Sequence, residues 1–301
     1  MMSRRLERVA LLFAAGAGIG SIFPLARAAV GRGVPWFAYS LVASLGAAAV
    51  MLLLTALTGQ SPRLGWPHLR YAAIAGFLTF ALPFCVVPLV IAHIGSALPS
   101  ILQSLAPLAT IAIAYALGLE RPRAARLIGL ALGLAGTLAI VAGRLGGASS
   151  PSTGWLGVAL IAPIALSCGN IYRTTGWPQG ARALPLAAVT LLGAALWIAL
   201  AIGLAILAGY PPPPVRPVLA SADILVPQCL CLGFGYVCFF RLQEVAGPVF
   251  LSQISYVNTT VGLAFAVLWF SEPLSRWSWL GAVLVFGGVA LVNRGQPAPT
   301  T

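Results

Sequence analysis

Apolar blocks alternate with short polar connections along the whole chain. A helix needs about 17–25 apolar residues to cross a bilayer. Ten blocks meet that need, with cores near 9–29, 36–57, 71–92, 97–118, 126–143, 155–174, 184–207, 222–242, 248–270 and 277–293. The longest connections lie near 144–154, rich in Gly and Ser, and near 208–221, which holds the run Pro211 to Pro214. Neither can fold as a domain, so the function must be carried inside the membrane. The expected fold class is an all-α membrane protein of ten transmembrane helices.

Composition narrows the reading further. Of 301 residues, 60% are hydrophobic, 17 are basic and 5 are acidic, and mean hydropathy is +0.98. Soluble chains carry roughly a quarter charged residues, so a water-soluble enzyme is excluded. Disorder, collagen and a disulfide scaffold are excluded as well. All the basic residues are Arg, scattered at the ends of apolar runs. A nucleic-acid footprint would cluster them on a polar surface, and no nucleic-acid partner is expected. The Arg residues act instead as a topological label. Ten spans put Arg4, Arg5, Arg8, Arg63, Arg70, Arg121, Arg123, Arg126, Arg173, Arg182, Arg241 and Arg294 on one side, leaving Arg27, Arg32, Arg144, Arg216 and Arg276 on the other. Both termini are therefore expected in the cytoplasm. Cys85, Cys168, Cys229, Cys231 and Cys238 all lie in apolar runs and read as small packing residues. No metal or other cofactor is expected.

The chain resembles itself. An offset of 152 places Glu120 on Glu272, Gly129 on Gly281, Gly136 on Gly288 and Ser100 on Ser252. An offset of 149 pairs Leu11 with Leu160 and aligns Gly20-Ser21-Ile22-Phe23 with Gly169-Asn170-Ile171-Tyr172. Two five-helix units are expected, 1–148 and 149–301. Five is odd, so the second copy enters the membrane inverted, an arrangement that places a substrate site near the midplane between the halves. The basic start Arg4, Arg5, Arg8 followed by an apolar run would also suit a signal peptide. The repeat argues instead for a first span with a later counterpart.

These motifs resemble the drug/metabolite transporter superfamily in its ten-span form with two EamA-type repeats. The matching residues are Ala17 to Phe23, Leu105-Ala106-Pro107-Leu108 and Leu117-Gly118-Leu119-Glu120 in the first half. In the second they are Trp269-Phe270-Ser271-Glu272-Pro273 and the helix of Gly281 and Gly288. Among members, the resemblance extends to YddG-like exporters of aromatic amino acids. It implies a multi-pass transporter of the bacterial inner membrane. One departure stands out: the family's repeated fourth-span Pro is Pro107 here, but its ninth-span counterpart is Thr259. The two halves are expected to bend differently.

Helical spacing assigns a candidate path. Ser100, Gln103, Ser104, Pro107 and Thr110 share one arc of the fourth span. Ser252, Ser255, Tyr256 and Thr259 share the equivalent arc of the ninth, extended by Gln253 and Thr260. Polar groups inside a bilayer face cavities or partners. These two faces are read as a shared cavity or as interhelical hydrogen bonding. Phe77, Phe80, Phe84 and Pro88 form one face of the third span, and Cys229, Gly233, Tyr236 and Phe240 one face of the eighth. They are candidate walls for a flat substrate, or core and lipid-facing filler. Ser21, Asn170 and Tyr172 add polar groups at paired positions. The candidate substrate-binding set is Ser21, Phe80, Phe84, Gln103, Ser104, Asn170, Tyr172, Tyr236, Phe240, Gln253 and Tyr256. Pro83, Pro88 and Pro107 are candidate hinges, since each removes a backbone hydrogen bond. Gly16 with Gly20, and Gly129 with Gly133, suit close helix packing, and a monomer is expected.

Glu7, Glu120, Asp223, Glu244 and Glu272 all sit near predicted helix ends. Small multidrug members of the superfamily carry a first-span Glu; here the corresponding stretch is Phe13-Ala14-Ala15 and its repeat Ala162-Pro163-Ile164. A cation-for-proton mechanism is therefore disfavoured, and His93 is read as an interfacial residue. A neutral path suits a zwitterion. The expected function is export or exchange of amino acids and related metabolites, with efflux of lipophilic compounds as the alternative. An intramembrane enzyme would need an Asp-rich motif or a hydroxyl with an adjacent base. A receptor would need an output domain. Neither pattern occurs in the sequence, and a channel is the remaining rival.

Overall fold

The computed structural model describes residues 4–61, 65–118, 124–145, 152–251 and 254–294. Gln253, Ser252 and Glu120, together with Arg63, Arg121 and Arg123, lie outside them. Among the described residues the secondary structure is helical throughout. The order is α1 (Arg4–Gly20), α2 (Ile22–Gly31), α3 (Trp36–Leu57), α4 (Trp66–Ala75), a π-helical turn (Gly76–Ala81) and α5 (Leu82–Ile94). Then come α6 (Ala97–Gln103), α7 (Ala106–Ala116), α8 (Ala124–Leu145), α9 (Ser152–Thr175) and α10 (Ala183–Leu207). The chain closes with α11 (Val215–Ala220), α12 (Ala222–Leu251), α13 (Ile254–Leu268) and α14 (Arg276–Arg294). Seven described segments are long and apolar enough to cross a membrane, and Leu127–Gly136 and Ile254–Leu268 are shorter apolar helices.

The side chains are sorted as a bilayer demands. In α10 the buried positions include Ala187, Ala188, Ala194 and Ala195, while Leu196, Leu200, Leu204 and Leu207 are exposed. Large apolar residues outside and small ones inside let helices approach closely where lipid offers no hydrophobic drive. Gly16 presses on Val257, Gly20 on Asn258, Gly133 on Leu108, and Gly18 on the backbone of Gly235. These small residues are used within the chain.

Two pairs of glycines make a reciprocal contact. A Cβ on Gly136 would meet the carbonyl of Gly281 at 2.7 Å, and a Cβ on Gly288 would collide with the carbonyl of Gly129. Gly129 and Gly136 are the repeat equivalents of Gly281 and Gly288. Thus α8 and α14 cross with each copy's first glycine against the other's second.

Proline sets where spans break. Pro88 has no N–H for the Phe84 carbonyl four residues back; the Ser40 hydroxyl of α3 donates to that carbonyl at 2.5 Å. Pro83 follows the π turn, where the Leu82 N–H reaches the Phe77 carbonyl five residues back. The fourth span is split at Ser104-Leu105, just before Pro107. There the Ser104 N–H bonds the Ile101 carbonyl at 3.1 Å, three residues back rather than four, so the Ser100 carbonyl needs another donor. Thr259 supplies it, its hydroxyl donating at 2.9 Å. The residue that replaces the second Pro thus mends the break made by the first, and α13 runs unbroken through it.

Thr259→Val removes the hydroxyl and keeps the shape. It is expected to destabilise the purified protein by about 1 kcal/mol, the net worth of one buried hydrogen bond, with Thr259→Ser close to wild type. A thermal melt in detergent in which the valine variant matches wild type would sink this account.

One boundary and one helix face differ from the expected ones. The eighth span was expected at 222–242, but α12 continues to Leu251, so Glu244 lies inside a helix rather than near its end. The third span carries the π turn, which rotates the residues before it relative to those after. Phe77 is consequently 38% exposed, while Phe80 and Phe84 are buried, although a uniform α-helix would put all three on one face.

Candidate functional site

Aromatic rings of the third and eighth spans fill one junction, while Cys229 and Gly233 of the eighth-span face pack on α3 at Gly46 and Val50. Phe80 and Tyr236 lie edge to face with centroids 5.0 Å apart, Phe80 and Phe84 are 6.0 Å apart, and Phe84 and Tyr236 are 6.4 Å apart. Tyr236 continues to Phe239 at 6.1 Å, and Phe239 to Phe240 at 5.4 Å. Edge-to-face packing at these separations is favourable beyond area burial. Phe80, Phe84, Tyr236 and Phe240 from the expected set are thereby gathered into one column, and all four are buried. Phe84 and Tyr236 are 152 residues apart, so equivalent positions of the two repeats touch here.

Arg173 lies at the end of this column. Its guanidinium carbon stands 4.7 Å over the Phe239 ring and 5.4 Å over the Phe240 ring, and the residue is only 3% exposed. Tyr71 and Tyr236 are its electrostatic neighbours. Sequence reasoning placed Arg173 among the topological arginines and took the path to be uncharged; the fold instead buries this cation among rings. Cation–π attraction offsets part of the cost of removing it from water. Tyr172, from the expected set, stacks on Tyr71 at 5.8 Å, and Trp177 meets Tyr71 edge-on at 5.9 Å.

The other expected residues stand elsewhere. The Ser21 hydroxyl donates to the Gly18 carbonyl at 2.7 Å, at the junction of α1 and α2. Ser104 donates to Ile101 at 2.6 Å. Gln103, beside it at the α6–α7 break, is buried with its Oε1 unpartnered. Ser100 and Ser104 are fully buried, Ser100 donates to Ala97, and Gly262 packs on Ser100 and Phe23. The shared polar face is thus a tight seam between α6 and α13 in this conformation. Tyr256 is half-buried and stacks on Phe286 at 6.2 Å. Asn170 is half-buried on α9, three residues before Arg173.

Buried amides are what the arc-by-arc reading missed. Asn258 Oδ1 is unpartnered against Gly20. Gln228 accepts the Tyr39 hydroxyl at 2.7 Å through Oε1 and leaves Nε2 unpartnered. For Gln228 the available signal was a single amide in a long apolar run, whereas Asn258 sits in a polar stretch with Thr259 and Thr260.

Three carboxylates, Glu7, Asp223 and Glu272, sit at the bundle's ends. Glu7 pairs with Arg241 at 3.3 Å. At the opposite end Asp223 pairs with Arg32 at 2.7 Å, and Glu272 lies 3.5 Å from Arg27. Glu272 also accepts the Ser96 N–H at 2.8 Å, the Ser96 hydroxyl at 2.8 Å and the Ala97 N–H at 2.9 Å. A second-half acid therefore caps the first turn of α6. His93 is exposed; its Nδ1 lies 2.9 Å from the Leu89 carbonyl, and its ring stacks on Trp155.

The model of the EamA-like transporter family matches residues 8–142 and again 153–294. The chain belongs to the EamA-like transporter family. It is thus a multi-pass membrane transporter of small molecules, built on the family's two-fold repeated domain. Among solved structures, 16 chains match. One, described only as a crystal structure of a protein, is 21% identical to this transporter over 95% of this chain and 96% of that one, with a TM-score of 0.65. At that identity the likeness speaks for the fold alone. No curated protein matches.

Proposed function

We propose that this transporter exports or exchanges amino acids, aromatic and other neutral ones, and related small metabolites across the bacterial inner membrane by alternating access. In this reading ten spans form two inverted repeats, 1–148 and 149–301, with both termini cytoplasmic, and the monomer is the working unit. The carrying observation is the meeting of Phe84 with Tyr236, equivalent positions of the two repeats, in a buried aromatic column. A two-fold axis between halves brings equivalent residues together, and the reciprocal glycines of α8 and α14 obey the same relation. Inverted repeats exchange shapes about such an axis. Gln103 at the break of the fourth span, buried with its Oε1 unpartnered, supplies a polar group for a zwitterion. Pro83, Pro88 and Pro107 supply the weak points for bending.

The test is counterflow of labelled L-phenylalanine in liposomes containing purified protein. Accumulation driven by internal unlabelled amino acid is expected, and no movement in either direction would overturn the reading. The aromatic column also suits neutral lipophilic compounds. Competition by such a compound, without competition by amino acids, would favour efflux instead.

A further inference from the structure

A cavity of about 230 Å³ lies apart from the aromatic column, where α4 and α10 begin. Two turns border it, at Gly59 after α3 and at Gly180 before α10, both with left-handed backbone. Pro185 and Leu186 form an apolar wall, and Leu186 is held in the cluster of Tyr71 and Ala75. The polar lining is Gln60, Ser61, His68 and Arg182. Among the described residues no carboxylate lines the cavity, and none pairs with Arg182. The start of α10 adjoins the cavity with no side-chain cap and no acid in its first turn, an end that favours an anion. His68, in the first turn of α4, gives an independent signal. Both of its ring nitrogens are buried without a partner, and at least one of them carries a proton to donate. Leaving such groups unmet costs free energy until something answers them. Trp66, two residues before His68, and Leu57, two before Gly59, are exposed. Tryptophan marks the headgroup level of a bilayer.

We propose that this cavity binds a phosphate group, with Arg182 and the start of α10 offsetting its charge and His68 donating to it. A turn of the imidazole about its soft second torsion presents a ring nitrogen to the ligand. The cavity is smaller than the roughly 300–1,000 Å³ of sites for drug-sized molecules, so it takes a compact polar group. The source that the surroundings favour is the headgroup of an anionic phospholipid. Basic pockets between spans take such headgroups, and the exposed Leu57 and Leu69 offer apolar surface to acyl chains. A phosphate held there ties the turn after α3, in the first repeat, to the start of α10, in the second. The site is independent of which solute the transporter carries.

The experiment is thermal stabilisation of the purified full-length protein in detergent, which needs no transport. The probes are dioleoyl phosphatidylglycerol, dioleoyl glycerol and glycerol phosphate. Phosphatidylglycerol is expected to raise the melting temperature saturably, and dioleoyl glycerol, which lacks the phosphate, to give no shift. Arg182→Gln should raise the half-saturating phosphatidylglycerol at least about ten-fold, the loss of one good charged contact. His68→Phe should raise it as well, and His68→Gln, which keeps a donor, should raise it less. Arg216→Gln, an exposed arginine on α11, controls for general attraction of an anionic lipid to a basic protein and should change nothing. Arg182 is exposed, so its variant keeps the fold and decides the matter if His68→Phe does not fold. An Arg182-dependent shift by glycerol phosphate would assign the site to soluble phosphates as well, and its absence to the lipid alone. The proposal is overturned if neither phosphate probe shifts the melting temperature or if dioleoyl glycerol matches phosphatidylglycerol. It is overturned too if Arg182→Gln leaves half-saturation unchanged, or if Arg216→Gln weakens binding as much.

Discussion

Valine at Gly288 is expected to be severely destabilising. A Cβ there collides with the Gly129 carbonyl and lies 2.9 Å from the Gly133 amide nitrogen. Both are helix backbone, which cannot swing aside as a side chain can. Relief requires α8 and α14 to separate, which forfeits the packing of Leu130 of α8 on the Leu108 and Val285 cluster beside the crossing. Overpacking typically costs about 1–3 kcal/mol, and a rigid obstacle puts Gly288→Val at the upper end. Gly136→Val meets the Gly281 carbonyl at 2.7 Å and should behave alike, as the repeat relation demands. Gly287→Val is the control, because nothing lies within 4 Å of its added Cβ. Thermal melts and monodisperse yield in detergent report the outcome. Equal behaviour of the 287 and 288 variants would refute the close crossing.

Glu272→Ala is expected to loosen the end of the bundle that holds Arg27 and to slow transport. The carboxylate joins the halves by accepting from the Ser96 N–H, the Ser96 hydroxyl and the Ala97 N–H. It also lies at the helix end that favours negative charge. Gly95 belongs to the same arrangement: with φ at 76° it takes a left-handed conformation, and a Cβ on it would meet Glu272 Oε2 at 2.6 Å. Removing the acid leaves backbone donors to water or to nothing. The cost is about 2 kcal/mol, since hydrogen bonds to charged acceptors are worth roughly 1.5–3 kcal/mol and the 11% exposed side chain lets water offset some. Arg27→Ala should cost far less, because its side chain is 37% exposed and the separation is 3.5 Å, a pair that solvent largely screens. Comparing melting temperature and counterflow rate for the two variants separates capping from ion pairing. An Arg27→Ala loss as large as that of Glu272→Ala would contradict the capping account.

Much of the site's outline is legible in the sequence. Phe80, Phe84, Tyr236 and Phe240 sit at helical spacing on two repeat-related spans, and the fold does join them. The departure at Thr259 also foretells that the fourth span breaks while α13 does not. Phe77 shows where periodicity fails. A wheel at constant pitch cannot register a π turn, and the extra residue in that turn moves Phe77 off the face. Ser100 and Ser104 were polar in a polar arc, yet each spends its hydroxyl on a carbonyl of its own helix.

What the sequence determined by itself is whatever the bilayer enforces locally. Hydrocarbon thickness sets the apolar run length, charge cost drives acids to the ends, and duplication leaves a register that needs no contacts to be seen. The burial of Arg173 is of another kind. An Arg near the end of an apolar run can reach water or turn inward, and the run reads the same in both cases. Only the approach of α12, which sets Phe239 and Phe240 against the guanidinium, decides between them. That approach is fixed by glycines far apart in the chain, Gly18 against Gly235, and so belongs to the tertiary structure alone.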